Sequence, residues 1–266
     1  MTQLSCADAQ TPSIIQLASI VQCAEQFQLS EILAENFGVP LEAARATCGN
    51  YLRAFRKCPD NPSKSLDAWR HLLWKQALGD QYSSLAGEIY LKWLQLRYYY
   101  LALTPDVVTL LDRLHSQYML GLITNGPSAA QWEKIERLNL KSFFDIILVS
   151  GDLPWEKPQQ QIFHEACEYL GVEPRQCLMV GDKLETDILG GIHAKLGATV
   201  WIPLSSDDQI NDFGPDYTIE KVTDLPSLLP KNTGKLGNFR RPKNGFSRLN
   251  HNLDLDDCNS NSSDGS

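Results

Sequence analysis

Three short stretches of the chain combine residue types suited to handling a phosphate ester. Thr124-Asn125-Gly126 offers a hydroxyl, an amide and successive backbone N–H groups just ahead of a helical pattern, the materials of an anion cradle. Lys157 stands in Trp155-Glu156-Lys157-Pro158, where the proline is expected at the first helical position and holds the ammonium outside the helix. Gly181-Asp182-Lys183-Leu184-Glu185-Thr186-Asp187 places the carboxylates of Asp182 and Asp187, five residues apart, behind a glycine hinge. Such a pair suits a hard cation, Mg2+ foremost, because that ion takes oxygen ligands and bridges to substrate phosphate. Singly, a Thr-Asn-Gly is more often a plain turn, a Glu-Lys-Pro a helix start and a Gly-Asp a cap. Jointly, a hydroxyl, a lysine and an acidic metal site describe phosphoryl transfer, provided one edge of the fold gathers them.

The elements needed to gather them are legible. Short apolar runs at 118–124, 144–149, 177–180 and 198–202, with a weaker one at 217–219, read as strands. Amphipathic helical patterns lie between them: one after Ser128, which is read as its cap, one after Pro158 with Gly171 in the stop position, and one over 185–196. Strands alternating with helices specify a parallel sheet wound on both faces, an α/β Rossmann-like fold. In such a sheet ligands sit past the carboxyl ends of the strands, where all three stretches fall.

Residues 31–104 differ in kind. Helical patterns rich in Trp69, Trp74, Trp93, Tyr90 and the run Tyr98-Tyr99-Tyr100 are broken by turns at 58–62 and at Gly79-Asp80, and no strand alternation appears. This predicts a small all-helical domain with the aromatic stripe as its core. The expected organisation is an atypical, helical N-terminal segment over 1–30, a helical domain over 31–104, an α/β core over 105–230 and a disordered tail over 231–266. The tail's Arg240-Arg241-Pro242-Lys243 reads as solvated charge before it reads as a binding or localisation signal.

The chain of 266 residues carries 24 Lys+Arg against 32 Asp+Glu, a net charge of −8. The tail holds six Lys/Arg and four Asp, so the acidity belongs to residues 1–230. An acidic body repels nucleic acid and anionic membrane surfaces, which excludes both as default partners. Seven cysteines without a CxxC pair suggest reduced thiols. The first basic residue is Arg45, no secretory or mitochondrial leader is evident, and no apolar run approaches the roughly 20 residues of a membrane span. A cytoplasmic location is expected.

With these features in view, the stretch 29–229 resembles the haloacid dehalogenase superfamily, and within it the N-acylneuraminate-9-phosphatases. The resemblance is densest in Leu122-Ile123-Thr124-Asn125-Gly126, Gln131-Trp132-Glu133-Lys134-Ile135-Glu136, Glu156-Lys157-Pro158 and Met179-Val180-Gly181-Asp182-Lys183-Leu184-Glu185-Thr186-Asp187-Ile188. It implies a Rossmann-like core with a helical cap at 31–104. It also implies Mg2+-dependent hydrolysis of a small phosphorylated sugar, through an aspartyl-phosphate, to N-acylneuraminate and phosphate. By resemblance Thr124 and Asn125, with Gly126, hold the phosphate, Lys157 neutralises charge on the transferring group, Asp182 binds Mg2+ and Asp187 supports it. Arg53, Arg56 and Arg97 are cap positions that could choose the substrate, or simply solvated charges.

One departure matters. The family's first motif is an apolar strand followed by Asp-x-Asp-x-Thr, which supplies the nucleophile and the general acid/base. Here the corresponding stretch reads Ser5-Cys6-Ala7-Asp8-Ala9-Gln10-Thr11-Pro12, without a preceding strand. The N-terminal core strand is therefore expected to be absent. The alternative to an active phosphatase is a catalytically inactive relative or variant product that keeps the phosphate pocket without the nucleophile. A dehalogenase of the same fold ranks below both, since Asp182 and Asp187 favour a cation site.

Overall fold

The computed structural model describes residues 22–58, 65–204 and 214–229. The readings placed on the stretch around Asp8, on most of the turn at 58–62 and on the tail 231–266 lie outside those residues.

Four helices come first: α1 (Gln22–Phe37), α2 (Leu41–Phe55), α3 (Leu66–Tyr82) and α4 (Ala86–Leu101). Ser65 starts α3, its hydroxyl oxygen accepting from the Ala68 N–H at 3.3 Å. Gly79 adopts φ 65° and ψ −179°, outside the helical region, so α3 is two helical segments meeting at a kink there, the break expected at Gly79-Asp80, and glycine reaches that conformation at little cost. Leu33, Ala44, Tyr51, Trp74, Ile89 and Trp93 pack together as one buried cluster. Tyr51 stacks on Trp74 with ring centroids 3.8 Å apart. Trp74, Trp93 and Tyr90 of the aromatic stripe are thus core with Trp69 packed against them, whereas Tyr98 and Tyr100 are half-buried outside that cluster and Tyr99 is exposed.

The α/β series follows as α5 (Pro105–His115), β1 (Gly121–Thr124), α6 (Ser128–Arg137), β2 (Ile146–Val149), α7 (Gln160–Leu170), β3 (Leu178–Gly181), α8 (Leu189–His193), β4 (Ala198–Trp201) and β5 (Tyr217–Thr218). The strands are shorter than their apolar runs. Tyr118, Met119 and Leu120 are buried without joining β1, since an apolar run reports burial and not pairing. Ser128 is the first residue of α6, with Pro127 in the cap position, so it does not cap that helix. Pro158 likewise precedes α7 instead of occupying its first position: Gln159 is the cap, and the Lys157–Pro158 peptide is cis. The helix expected over 185–196 is a single π turn, Leu184–Ile188, running into the short α8. Gly171 does stop α7, at φ 67°.

Side chains alternate between two layers. Leu122, Ile147, Val149, Leu178 and Val180 face Leu111, Leu114, Trp132 and Ile135 of α5 and α6. Ile123, Ile146, Leu148 and Met179 face Ile162, Phe163 and Ala166 of α7. This is the α/β Rossmann-like architecture with a helical cap that the sequence predicts. The parallel pairing is not continuous, however. β1 pairs β2 with Gly121 opposite Ile146, and β3 pairs β4, which pairs β5. Among the described residues no ladder joins β1 to β3, and only the shared apolar layers and one lysine bridge connect the two half-sheets.

Candidate functional site

Thr124 ends β1, Lys157 lies in the loop beyond β2, and Asp182 directly follows β3, so three carboxyl ends deliver the three motifs to one edge. The structure ties them together through Lys157. Its Nζ donates to the Ile123 carbonyl oxygen of β1 at 3.0 Å and lies 2.9 Å from Asp187 Oδ1. Its backbone is gripped as well: the Asn125 side chain accepts from Lys157 N at 3.0 Å and donates to Lys157 O at 2.8 Å. Lys157 is only 2% exposed, and burial pulls its ammonium below the ordinary lysine range while Asp187 opposes that pull.

Asp187 is fully buried and already committed. Beyond the ion pair with Lys157, its Oδ2 accepts from Lys183 N at 3.1 Å. The π turn swings it back over Gly181, where an added Cβ would overlap the Asp187 side chain. Glycine at 181 is therefore what lets the carboxylate approach the strand end.

Asp182 is the opposite case. Its main-chain oxygen accepts from Trp201 Nε1 at 2.8 Å, but both carboxylate oxygens are buried without a hydrogen-bond partner among the described residues. Burial, and next the neighbouring Asp187, push its carboxyl up to about 6. A buried carboxylate in that state is short of a cation, and a hard divalent ion fits its oxygens. Among the described residues no group of three His, Cys, Asp or Glu converges, so an ion held there would complete its shell with water and substrate oxygens.

The cradle residues are partly engaged within the protein. The Thr124 hydroxyl donates to Gln131 Oε1 at 3.1 Å, and Gly126 N donates to Ser150 Oγ at 3.0 Å. Gln131 opens one of the stretches that carry the family resemblance, though without a role assigned to it there, and lies one turn into α6. Ser150 lies outside those stretches, and its only signal was its position directly after β2.

Above this edge the cap brings further charge. Arg53 and Arg56 are exposed, whereas Arg97 is buried. Arg70, which the sequence reading passed over, is 1% exposed, and its Nη1 lies 2.6 Å from Oε2 of Glu133 on α6. Its place at helical spacing with the buried Leu73, Trp74 and Leu78 was a usable signal of an inward-facing arginine. An open groove of about 490 Å³ also lies between the start of α3 and α6, lined by Asp67, Glu133, Glu136 and Arg137 among others, and it includes none of Thr124, Asn125, Gly126, Lys157, Asp182 and Asp187.

Comparison with known proteins agrees with this geometry. Residues 16–195 match the haloacid dehalogenase-like hydrolases. N-acylneuraminate-9-phosphatase of Rattus norvegicus is 41% identical over 167 residues, which is 60% of this chain and 65% of that protein. Pyrimidine 5'-nucleotidase YjjG of Escherichia coli (strain K12) is 39% identical over 128 residues, 48% of this chain and 56% of that protein. The chain thus spans less than two thirds of the length of these relatives. In fold it is similar to the HAD-hydrolase YfnB from Bacillus subtilis, solved bound to magnesium: TM-score 0.54 at 22% identity, covering 82% of this chain and 98% of that one. A family match that runs through all three strand-end motifs and the cap helices has one reading: the chain belongs to the haloacid dehalogenase-like hydrolases.

Proposed function

We propose that this chain is a phosphatase of a small phosphorylated sugar, most like N-acylneuraminate 9-phosphate, with Mg2+ as its cofactor. In this reading water's oxygen joins phosphorus, the ester P–O bond breaks, and a proton passes to the departing sugar hydroxyl. The observation that carries the reading is that one strand edge holds both a buried Asp182 carboxylate without hydrogen-bond partners and the buried Lys157 ammonium, which Asp187 holds in an ion pair. Asp182 would hold the ion, which supplies charge neutralisation at the phosphoryl oxygens when bound. Lys157 would neutralise a further oxygen, and Thr124, Asn125 and Gly126 would position the group, while Asp187 holds Lys157 in place. Residues 31–104 would act as the cap and 105–230 as the core. The relatives' phosphatase names support the substrate class. No helix of the described residues is long and apolar enough to cross a membrane, and a cytoplasmic location is part of the proposal.

A second reading, an inactive relative that binds phosphate without turning it over, is favoured by the engagement of Lys157 with Ile123 O and Asp187 and by the interrupted sheet. One assay separates the two. The full chain with Mg2+ should release phosphate from N-acylneuraminate 9-phosphate above a Lys157→Ala control. Equal release by the two proteins, with inorganic phosphate still bound by the unmodified chain, selects the inactive reading.

A further inference from the structure

The groups of the candidate phosphate cradle spend their protons inward. Thr124 gives its hydroxyl proton to Gln131 Oε1 at 3.1 Å, and Gly126 gives its N–H to Ser150 Oγ at 3.0 Å. The Asn125 carboxamide is turned to the backbone of Lys157, accepting from N and donating to O. An arriving phosphoryl group carries acceptor oxygens, so it would meet lone pairs at Thr124 where it needs a donor. The donors lie one residue further out. Gln131 Nε2 and the Ser150 hydroxyl donate to nothing among the described residues, and Thr124, Asn125, Gly126, Gln131 and Ser150 are all partly open to solvent.

Both donors converge on Gly126. The Gln131 carboxamide reaches from Thr124 to Gly126: a Cβ added at Gly126 would lie 2.5 Å from Nε2, so the absence of a side chain there leaves room for the amide. Ser150 reaches the N–H of the same residue. Gly151 permits that approach, since a Cβ on it would overlap Ser128 N and Gly126 O. One side chain from α6 and one from the end of β2 thus meet at the carboxyl end of β1.

Accepting one hydrogen bond strengthens the next one given, so an amide whose oxygen holds Thr124 and a hydroxyl that holds Gly126 N–H are both improved as donors. The charge on this stretch of α6 also favours an anion. Lys134 stands one turn beyond Gln131, and burial, then repulsion from Arg97, Lys183 and Arg70, lowers its ammonium to about 8. Negative charge placed nearby relieves that repulsion. Glu133 and Glu136 of the same helix line the outer groove instead.

We propose that Gln131 Nε2 and the Ser150 hydroxyl make the phosphate contacts that the sequence pattern assigns to Thr124 and Gly126, whose part is to hold those two donors in place. This rests on the phosphatase reading above and adds two phosphate-binding side chains to it. It is tested by calorimetric titration of the full chain with inorganic phosphate in the presence of Mg2+. Gln131→Met keeps the length and helix preference of the side chain but removes the amide, and should weaken phosphate binding by about tenfold or more, the range of a hydrogen bond to a charged group. Ser150→Ala should cost about as much. Gln131→Glu keeps an acceptor for Thr124 while setting a carboxylate oxygen in place of the donor, so it should weaken binding further. Thr124→Val should cost less than any of these. Both sites are partly exposed and lie outside the buried clusters, so the variants are expected to fold. Phosphate affinity within about twofold of the unmodified chain in Gln131→Met or in Ser150→Ala overturns the proposal. A loss in Thr124→Val equal to or above that in Gln131→Met also overturns it, because the hydroxyl is then the donor. In these cases the phosphatase reading stands. If the unmodified chain binds no phosphate, that reading falls with the proposal.

Discussion

Lys157 and Asp187 form an ion pair with side chains 1% and 0% exposed, and the worth of such a pair lies mostly in the cost of breaking it. Asp187→Asn leaves a buried ammonium without its counter-charge. It should lower the unfolding free energy by about 3 kcal/mol or more in urea denaturation. Replacing both partners with apolar residues of similar size should cost less than the two single changes combined. Lys134 gives a prediction in pH. Its ammonium titrates at about 8 in the folded chain, below its ordinary 10.5, so between those values the unfolded chain binds more protons and stability rises with pH. The penalty is fully present below about 8. Lys134→Met should therefore raise Tm at pH 7 and lose that advantage as the pH approaches 10.5, readable by calorimetry across the range.

At the scale of elements, Asn125 works as a clamp. The loop after β1 and the loop after β2 have no regular structure in common, yet one side chain accepts from Lys157 N and donates to Lys157 O. Asn125→Ala should cost about 1–3 kcal/mol, the range for buried groups left without partners, and should speed amide exchange at Lys157. The sequence made the loops visible because polar residues at the ends of apolar runs stand out. It left the clamp hidden because the partner is main chain, and every residue has the same main chain. The same blindness explains Ser128 and Pro158, whose types suggested helix starts while their neighbours took those positions. The π turn before α8 was equally unreadable. The helix it runs into packs closely, since a Cβ at Gly190 would meet Phe163 and one at Gly191 would meet Thr199 and Met179. Long-range pairing was the least legible: five apolar runs predicted one sheet, and nothing in those runs foretold two separate ones.

At the scale of the whole molecule, the cap helices and the α/β part bury separate clusters, one around Trp74 and Trp93 and others around the strands. Cys48 lies in the first and Cys167 in one of the others, both almost fully buried. Burial pushes the Cys48 thiol up to about 12, so it alkylates only when its surroundings open. Pulsed alkylation in rising urea, read by mass spectrometry, should find Cys48 and Cys167 losing protection at different concentrations, as expected of two cooperative units with a thin boundary. The fastening of Lys157 bears on how those units divide their labour. The lysine is held at its backbone by Asn125 and at its tip by Ile123 and Asp187, all from the α/β part. None of its named tethers comes from the cap, so substitutions in the helices above leave the fastening of Lys157 in place. On the reading proposed above, drift in α3 and α4 could therefore change which ester is accepted while the phosphate end of the site stays as it is.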